Sequence, residues 1–335
     1  MSKKVSRDVS ELLEPVIAIL RSSPAKYFSI KQIARKVGVS EILAREAIGG
    51  LSSWGYRFEI NDRACYKFKT APDALFPFEI QFGLLTKYIG KEIESHFSVK
   101  STNESALRWA ENGAPEGAMV IAEKQIGGKG RLGRSWHSPP KTGLWFSLIL
   151  RPQIPPSRAP SISILSALTL SEVLQQKYKL KSKIKWPNDC LIDNYKVAGI
   201  LTELSAEPDK VNYVIMGMGI NINIPSRDFP ASLKSIATSV QAETGEKINR
   251  IEFLRNLLNQ FEKNYEIFRL KGLKPFHAKI RRHSLMLGKN IKLKLGKKII
   301  QATAFDIDSD GALLAKHRKE ILRVTAGEVT ILDHD

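Results

Sequence analysis

Two apolar runs separated by almost nothing constrain this chain more than any other feature. CLID (190–193) and KVAGILTEL (196–204) flank only Asn194 and Tyr195, far too little for the crossover of a dozen or more residues that a parallel pair needs. They predict a hairpin, and with it an antiparallel or mixed sheet instead of a regular doubly wound one. MVIAE (119–123), GLWFSLIL (143–150) and NYVIMGMGINI (212–222) read as further strands. Helical periodicity runs through 102–113, 161–178 and 250–270, with Ser101 or Thr102 as the natural cap of the first helix.

Between two of these strands lies GKGRLGR (128–134), which fits the G-x-G-x-x-G template of dinucleotide binding. That template requires a helix directly afterwards and an acidic residue some 20 positions on. Here SWHSPPKTG follows, whose prolines forbid a helix, and a strand comes next. Neither Gly-Lys-Ser/Thr nor the kinase signatures are present, so the segment is a loop joining two strands. Its glycines free backbone N–H groups to face a ligand, and Lys129, Arg131 and Arg134 add charge suited to phosphate or carboxylate oxygens. Taken alone, a solvated basic hairpin explains the loop equally well.

The charge balance extends this picture. The chain carries a net +18 over 335 residues, which points to an anionic partner. No acidic residue occurs between Glu123 and Glu172, nor between Arg269 and Gln301. Cys65 and Cys190 have no Cys-x-x-Cys or His-rich company, so free thiols are expected and a zinc cluster is not. The first residues, MSKKVSRDVSELLEPV, lack an apolar export segment, and no run of about 18 apolar residues exists. A cytoplasmic location with no membrane contact is the expectation.

Residues 29–51 have the spacing of a helix-turn-helix: Ile33, Ala34, Val37, Val39, Ala44 and Ala47 form the seam, Gly38 makes the turn and Ser40 caps the second helix. Residues 54–60 and 63–68 read as two strands about an Asn61-Asp62 turn, completing a winged helix. Its outward positions are Glu41, Ile42, Arg45, Glu46 and Gly49, one base among two acids, which is a poor face for reading DNA. Ser40, Glu41 and Arg45 are the candidate DNA contacts. Residues 71–77 read as a linker, and the last fifty residues as short strands of a small β-barrel.

Three further blocks accompany the glycine loop. KWPND (185–189) sets a lysine, an amide and a carboxylate around a proline-stiffened bend; KVAGI brings Lys196 and Gly199; GMGIN brings Gly217, Gly219 and Asn221. Sited at strand ends, these polar and glycine groups suggest one converging pocket. AEKQIGGKGRLGRSWHSP, KWPND, KVAGILTE and GMGINI, in that order, resemble the signature blocks of biotin protein ligases (biotin–acetyl-CoA-carboxylase ligases). The flanking winged helix and small barrel are similar to those of the bifunctional ligase and biotin operon repressor class.

The resemblance implies an α+β multidomain protein: a winged helix-turn-helix over 1–70, a class II synthetase-like ligase domain over 71–284 and an SH3-like β-barrel over 285–335. It implies ATP, Mg2+ and biotin as reactants, biotinyl-5′-AMP as the activated species, and a biotin carboxyl carrier protein as acceptor. For the repressor class it adds operator DNA and a homodimer. The family's biotin and adenylate site falls on Ser101, Thr102, Asn103, Gln125, Gly128, Lys129, Gly130, Arg131, Arg134 and Lys196. Trp136 resembles the aromatic beside adenine. Lys185, Asn188 and Asp189 stand where the family supports phosphates, metal and the incoming lysine, and Gly199, Gly217, Gly219 and Asn221 are wall positions. Arg131, Lys196, Lys185 and Asp189 are the implied catalytic set; no residue is assigned to a metal. Lys129 departs from the arginine of repressor-type ligases, which removes a bidentate grip. Two other readings fit parts of this pattern: a lipoate ligase, and a DNA-binding regulator whose central domain senses a ligand without catalysis.

Overall fold

The computed structural model describes residues 9–296, 298–325 and 327–332, and the chain forms two compact units, Met1–Asp73 and Ala74–Asp335. The first contains helices α1 (Val9–Ser22), α2 (Ile30–Val37) and α3 (Glu41–Ser53), then strands β1 (Arg57–Ile60) and β2 (Tyr66–Thr70), which pair antiparallel. Ser29 starts α2 through a capping box with Gln32. Gly38, at φ +76, ends it by donating its N–H to the Ala34 carbonyl. The Ser40 hydroxyl accepts from Leu43 N at 3.3 Å and starts α3. Ile33, Ala34, Ala44 and Ala47 are buried in the seam, as the spacing predicts.

Both strands of this unit begin later than expected. Trp54 still caps α3 and Gly55 turns the chain at φ +100, so pairing starts at Arg57. Asn61 Oδ1 accepts from the backbone N–H of Arg63 and Cys65, which holds 61–65 in the turn and delays the second strand to Tyr66. Helix α1, with Leu12, Leu13, Val16, Ile17 and Leu20 buried, was not evident from the sequence.

The second unit follows the order α4 (Pro77–Gln81), β3 (Ile93–Val99), α5 (Thr102–Glu111), β4 (Met119–Gln125), β5 (Gly143–Leu150), α6 (Pro160–Tyr178), β6 (Ser182–Lys185), β7 (Asp189–Ile192), β8 (Tyr195–Ala206), β9 (Val211–Asn221), α7 (Val240–Thr244), α8 (Arg250–Lys271) and α9 (His277–His283). The strands form a seven-stranded mixed sheet, ordered β3-β4-β5-β9-β8-β7-β6, in which only β3 and β4 run parallel. The hairpin is present, but its turn is Asp193-Asn194, at φ 45 and 68, one residue earlier than read. Two successive left-handed residues match the twist of the strands, and Asn and Asp tolerate them. The expected linker is short: Leu75 is already buried, its N–H bonded to Glu123 at 3.0 Å.

Helix α5 covers part of one sheet face with Ala106 and Ala110 against Val120, Ile149 and Ile215, while α6 and α8 pack on the other face. The rest of the α5 face is open, and this is where the site forms. Strands β10 (Asn290–Leu295), β11 (Lys298–Ile307), β12 (Leu313–His317), β13 (Glu320–Val324) and β14 (Glu328–Ile331) make a C-terminal β domain, an antiparallel sheet ordered β13-β12-β11-β10-β14. Its inner residues Ile291, Leu293, Leu313 and Ala315 join the same core as α6. Among the described residues no helix is long and apolar enough to cross a membrane.

Candidate active site

Two neighbouring rungs of the sheet explain why glycines recur in β8 and β9. In one, Ser147, Gly217 and Leu201 stand side by side across β5, β9 and β8; two residues on, Trp145, Gly219 and Gly199 do the same. A Cβ on Gly217 would collide with the Asn103 amide, its Cγ only 2.8 Å away; one on Gly219 would meet the Trp136 indole, with Cε2 at 2.5 Å. The bare backbone is therefore the seat on which each side chain lies. Gly199, Gly217 and Gly219 are strand-interior positions, not the strand ends expected, because close approach and not a turn is what they supply.

Over these rungs opens a cavity of about 500 Å³. One end is neutral and polar. Thr102 N donates to Gln125 Oε1 at 2.8 Å, Gln125 Nε2 to Ser138 Oγ at 3.1 Å, and Ser147 Oγ lies 2.6 Å from Asn103 Oδ1. Ser101 occupies the N-cap position of α5 but its side chain makes no capping bond, and it lines the cavity.

The other end is cationic. Lys196 Nζ lies 2.7 Å from Asp189 Oδ1 and 5.1 Å from the centre of the Trp136 ring. Arg131 donates to Asn188 Oδ1 and to the Gly327 carbonyl of the β domain, both at 3.3 Å. Burial lowers its guanidinium pKa. Lys185 and Arg134 complete this end, Arg134 in an ion pair with Glu328. The Trp136 Nε1 is buried among the described groups without a hydrogen-bond partner. A molecule carrying a donor-rich neutral head and an anionic tail, beside a second anion and a flat ring, matches both ends.

Comparison with known proteins gives the same result. The description "Biotin/lipoate A/B protein ligase family" matches residues 96–221, and "Biotin protein ligase C terminal domain" matches 286–332. The Bifunctional ligase/repressor BirA of Bacillus subtilis is 35% identical over 322 residues, covering 96% of this chain and 99% of that protein. The chain belongs to the biotin protein ligase family. The Escherichia coli protein of the same name is 27% identical over 317 residues, 94% of this chain and 96% of its own. Among solved structures, the biotin protein ligase from Aquifex aeolicus in complex with biotin and ATP aligns at TM-score 0.63 and 31% identity, over 72% of this chain and 98% of its own.

Of the residues the family resemblance singled out, Ser101, Thr102, Asn103, Gln125, Lys129, Gly130, Arg131, Arg134, Trp136, Lys185, Asn188, Asp189, Lys196, Gly199, Gly217, Gly219 and Asn221 all line this cavity. Gly128 does not. It stands behind the loop, where a Cβ would meet the Trp136 carbonyl at 2.8 Å. Lys129 lines the wall, yet its ammonium reaches Glu104 at 2.6 Å on α5. Asn221 Nδ2 is bonded to the Thr238 carbonyl, which fixes the segment carrying Ile236 and Ala237 against the cavity. That apolar wall, together with Trp186, Gly327, Glu328, Ser147 and Glu203, escaped the sequence reading. Ser147 had a visible signal as the single polar residue in GLWFSLIL. Trp186 and Glu203 lie inside KWPND and KVAGILTE but were given no role there, and Ile236, Ala237, Gly327 and Glu328 lie outside every motif.

Proposed function

We propose that this chain is an ATP-dependent biotin protein ligase that forms biotinyl-5′-AMP and pyrophosphate, then transfers the biotinyl group to a lysine of a biotin carboxyl carrier protein. The carrying observation is the two-ended cavity, neutral polar at Thr102, Asn103 and Gln125 and cationic at Arg131, Lys185 and Lys196. Activation brings a carboxylate against a triphosphate, so the site must offset like-charge repulsion and hold charge that spreads over the α-phosphorus as it is attacked. Lys196, steadied by Asp189 and the Trp136 face, is assigned to the carboxylate and α-phosphate. Lys185 is assigned to the phosphates, and Arg131, tied to Asn188 and Gly327, to retaining the adenylate. In the second step the acceptor amine forms the C–N bond as the C–O bond to phosphate breaks, and Asp189 is assigned to take up the amine's proton.

Among the described residues no group of three or more His, Cys, Asp or Glu could hold a metal ion, and the cavity's carboxylates are Asp189 and Glu328. With so few carboxylates the protein would contribute Asp189 alone to a Mg2+ that arrives with the nucleotide, and the ion would supply neutralisation of the departing pyrophosphate.

The division into 1–70, 71–284 and 285–335 belongs to this reading, with a winged helix first and an SH3-like barrel last. The helix-turn-helix geometry of α2 and α3 and the bifunctional name of the relatives favour a second role at operator DNA, as a homodimer, in the cytoplasm. Within that role Glu41 and Arg45 are exposed for contact, whereas the Ser40 hydroxyl is engaged as a cap.

The deciding experiment is ATP-dependent transfer of labelled biotin to a carboxyl carrier fragment, with Lys196→Ala alongside and lipoate as competitor. Transfer by the parent and its loss in the variant are expected. Transfer of lipoate in preference to biotin would select the lipoate ligase. Ligand binding without ATP turnover would leave the sensing regulator.

A further inference from the structure

Glu203 touches nothing in the cavity, yet it holds a residue that lines it. Asn103 Nδ2 lies 2.6 Å from Glu203 Oε2 and 3.4 Å from the Leu201 carbonyl. Both acceptors are on β8, and Asn103 is 6% exposed. A carboxylate only accepts, so the amide must present its nitrogen to β8 and its oxygen to β5. There Asn103 Oδ1 meets Ser147 Oγ at 2.6 Å, and since an amide oxygen also only accepts, the single Ser147 proton lies on that contact. Ser147 is fully buried and its other neighbour is Thr102 Oγ1 at 2.8 Å. The Thr102 proton is thereby committed to Ser147 or to Gln125 Oε1 at 3.1 Å. What Thr102 has left for the cavity is lone pairs, while Gln125, with one N–H on Ser138, keeps a second to donate.

We propose that Glu203 is a positioning and specificity-determining residue which, through Asn103, Ser147 and Thr102, fixes the neutral end of the cavity as an acceptor of ligand N–H groups. This inference rests on the ligase reading above. A cyclic urea presents two N–H donors and one carbonyl, which that polarity accepts; the dithiolane of lipoate presents neither. Without an acceptor at Glu203 only the 3.4 Å contact to the Leu201 carbonyl holds the Asn103 nitrogen toward β8, and the amide can turn over. Its nitrogen then faces Ser147, the Ser147 proton moves to Thr102, and one of the two Thr102 lone pairs is withdrawn from the ligand.

The test uses the full chain and titration calorimetry with biotin, ATP and lipoate. Glu203 is an exposed strand residue, so Glu203→Leu and Glu203→Gln are both compatible with the fold. Glu203→Leu is expected to weaken biotin about tenfold or more, the loss of a charge-assisted bond, with ATP and lipoate changed less than about twofold. Glu203→Gln, which still offers a carbonyl oxygen to Asn103, should restore most of the affinity. Unchanged biotin binding by Glu203→Leu would overturn the inference, and so would a parallel loss of biotin and ATP, the mark of general loosening. If the parent itself binds no biotin, the ligase reading fails and this one with it.

Discussion

Gly219→Ala should separate nucleotide handling from biotin binding. Its Cβ would sit 2.5 Å from Trp136 Cε2 and 3.0 Å from Cδ1, and Gly199 on the neighbouring strand already brings the ring within 3.2 Å of a Cβ position. Ordinary carbon contacts need about 3.5 Å, so the indole must lift by about 1 Å. Inserting a methyl into a packed core costs about 1–3 kcal/mol. The low end applies here because Trp136 is only half-buried on a loop and can yield. The cost falls on function instead, since a displacement of about 1 Å in a positioning group can reduce a reaction about 100-fold. Pyrophosphate release on mixing with biotin and ATP measures adenylate synthesis, while calorimetry follows biotin alone. Synthesis down about 100-fold with biotin affinity within about twofold is the expected pair of results. Undiminished synthesis, or biotin affinity lost in equal measure, would refute the assignment of the two rungs to two ligand parts.

Arg131→Ala should release free biotinyl-adenylate faster than the parent by about tenfold, read by trapping the released adenylate, because the contacts to Asn188 and Gly327 that close the loop are lost. Glu104→Gln removes the partner of Lys129; that pair is solvent-screened, so adenylate retention should change little at low salt and not at all in high salt. Arg250 is fully buried and pairs with Glu123 at 2.8 Å, so Glu123→Gln, which strips the charge from that pair, should destabilise the second unit by about 3–5 kcal/mol in denaturant titration. Burial lowers the His283 pKa, so the unfolded chain takes up its proton first: stability held above about pH 6.5 should decline as pH falls through the folded value, and His283→Gln should flatten that part of the Tm profile.

Long apolar strands and helices were legible because burial imposes their period: Gly143–Leu150 is buried at every position and Val211–Asn221 at nearly every one. Strand β3, IESHFSV, lies at the sheet edge and is buried at no position, and SKIK in β6 has a single apolar residue, so neither carries the apolar pattern that marked the other strands. The cationic end of the cavity was legible for a related reason. Its charges cluster beside glycines that have no structural excuse in a strand. The neutral end was read only in part, since what orients Asn103 comes from Glu203, one hundred residues away, and becomes its neighbour only through the β5-β9-β8 order. Gly327 and Glu328 were hidden in the same way, reaching the glycine loop from the far end of the chain.

The first unit leads to a quantitative expectation about DNA. Its α3 face exposes Glu41, Ile42, Glu46 and Gly49 around Arg45, so phosphate attraction falls to bases outside α3, among them those of the β1–β2 hairpin. There Glu59 pairs with Lys69, accepts from the Tyr27 hydroxyl and pairs with Lys67 at 3.3 Å; these partners, Lys69 foremost, depress its pKa to about 2. Glu59 therefore stays ionised across the physiological range and neutralises charge that would otherwise meet phosphate. Glu59→Gln removes that competitor and leaves the two lysines available. Each phosphate neutralised contributes about −0.9 to the slope of log K against log salt, so engagement of both lysines should steepen the slope by about 1.8. Anisotropy titrations of a labelled duplex between about 50 and 200 mM salt resolve such a change. The increase should be the same for unrelated sequences, since backbone contacts carry no base information. An unaltered slope would mean that the hairpin does not face the duplex, and exposed bases elsewhere in the unit, such as Lys31, Arg35 and Lys36 of α2, would then have to supply the phosphate contacts.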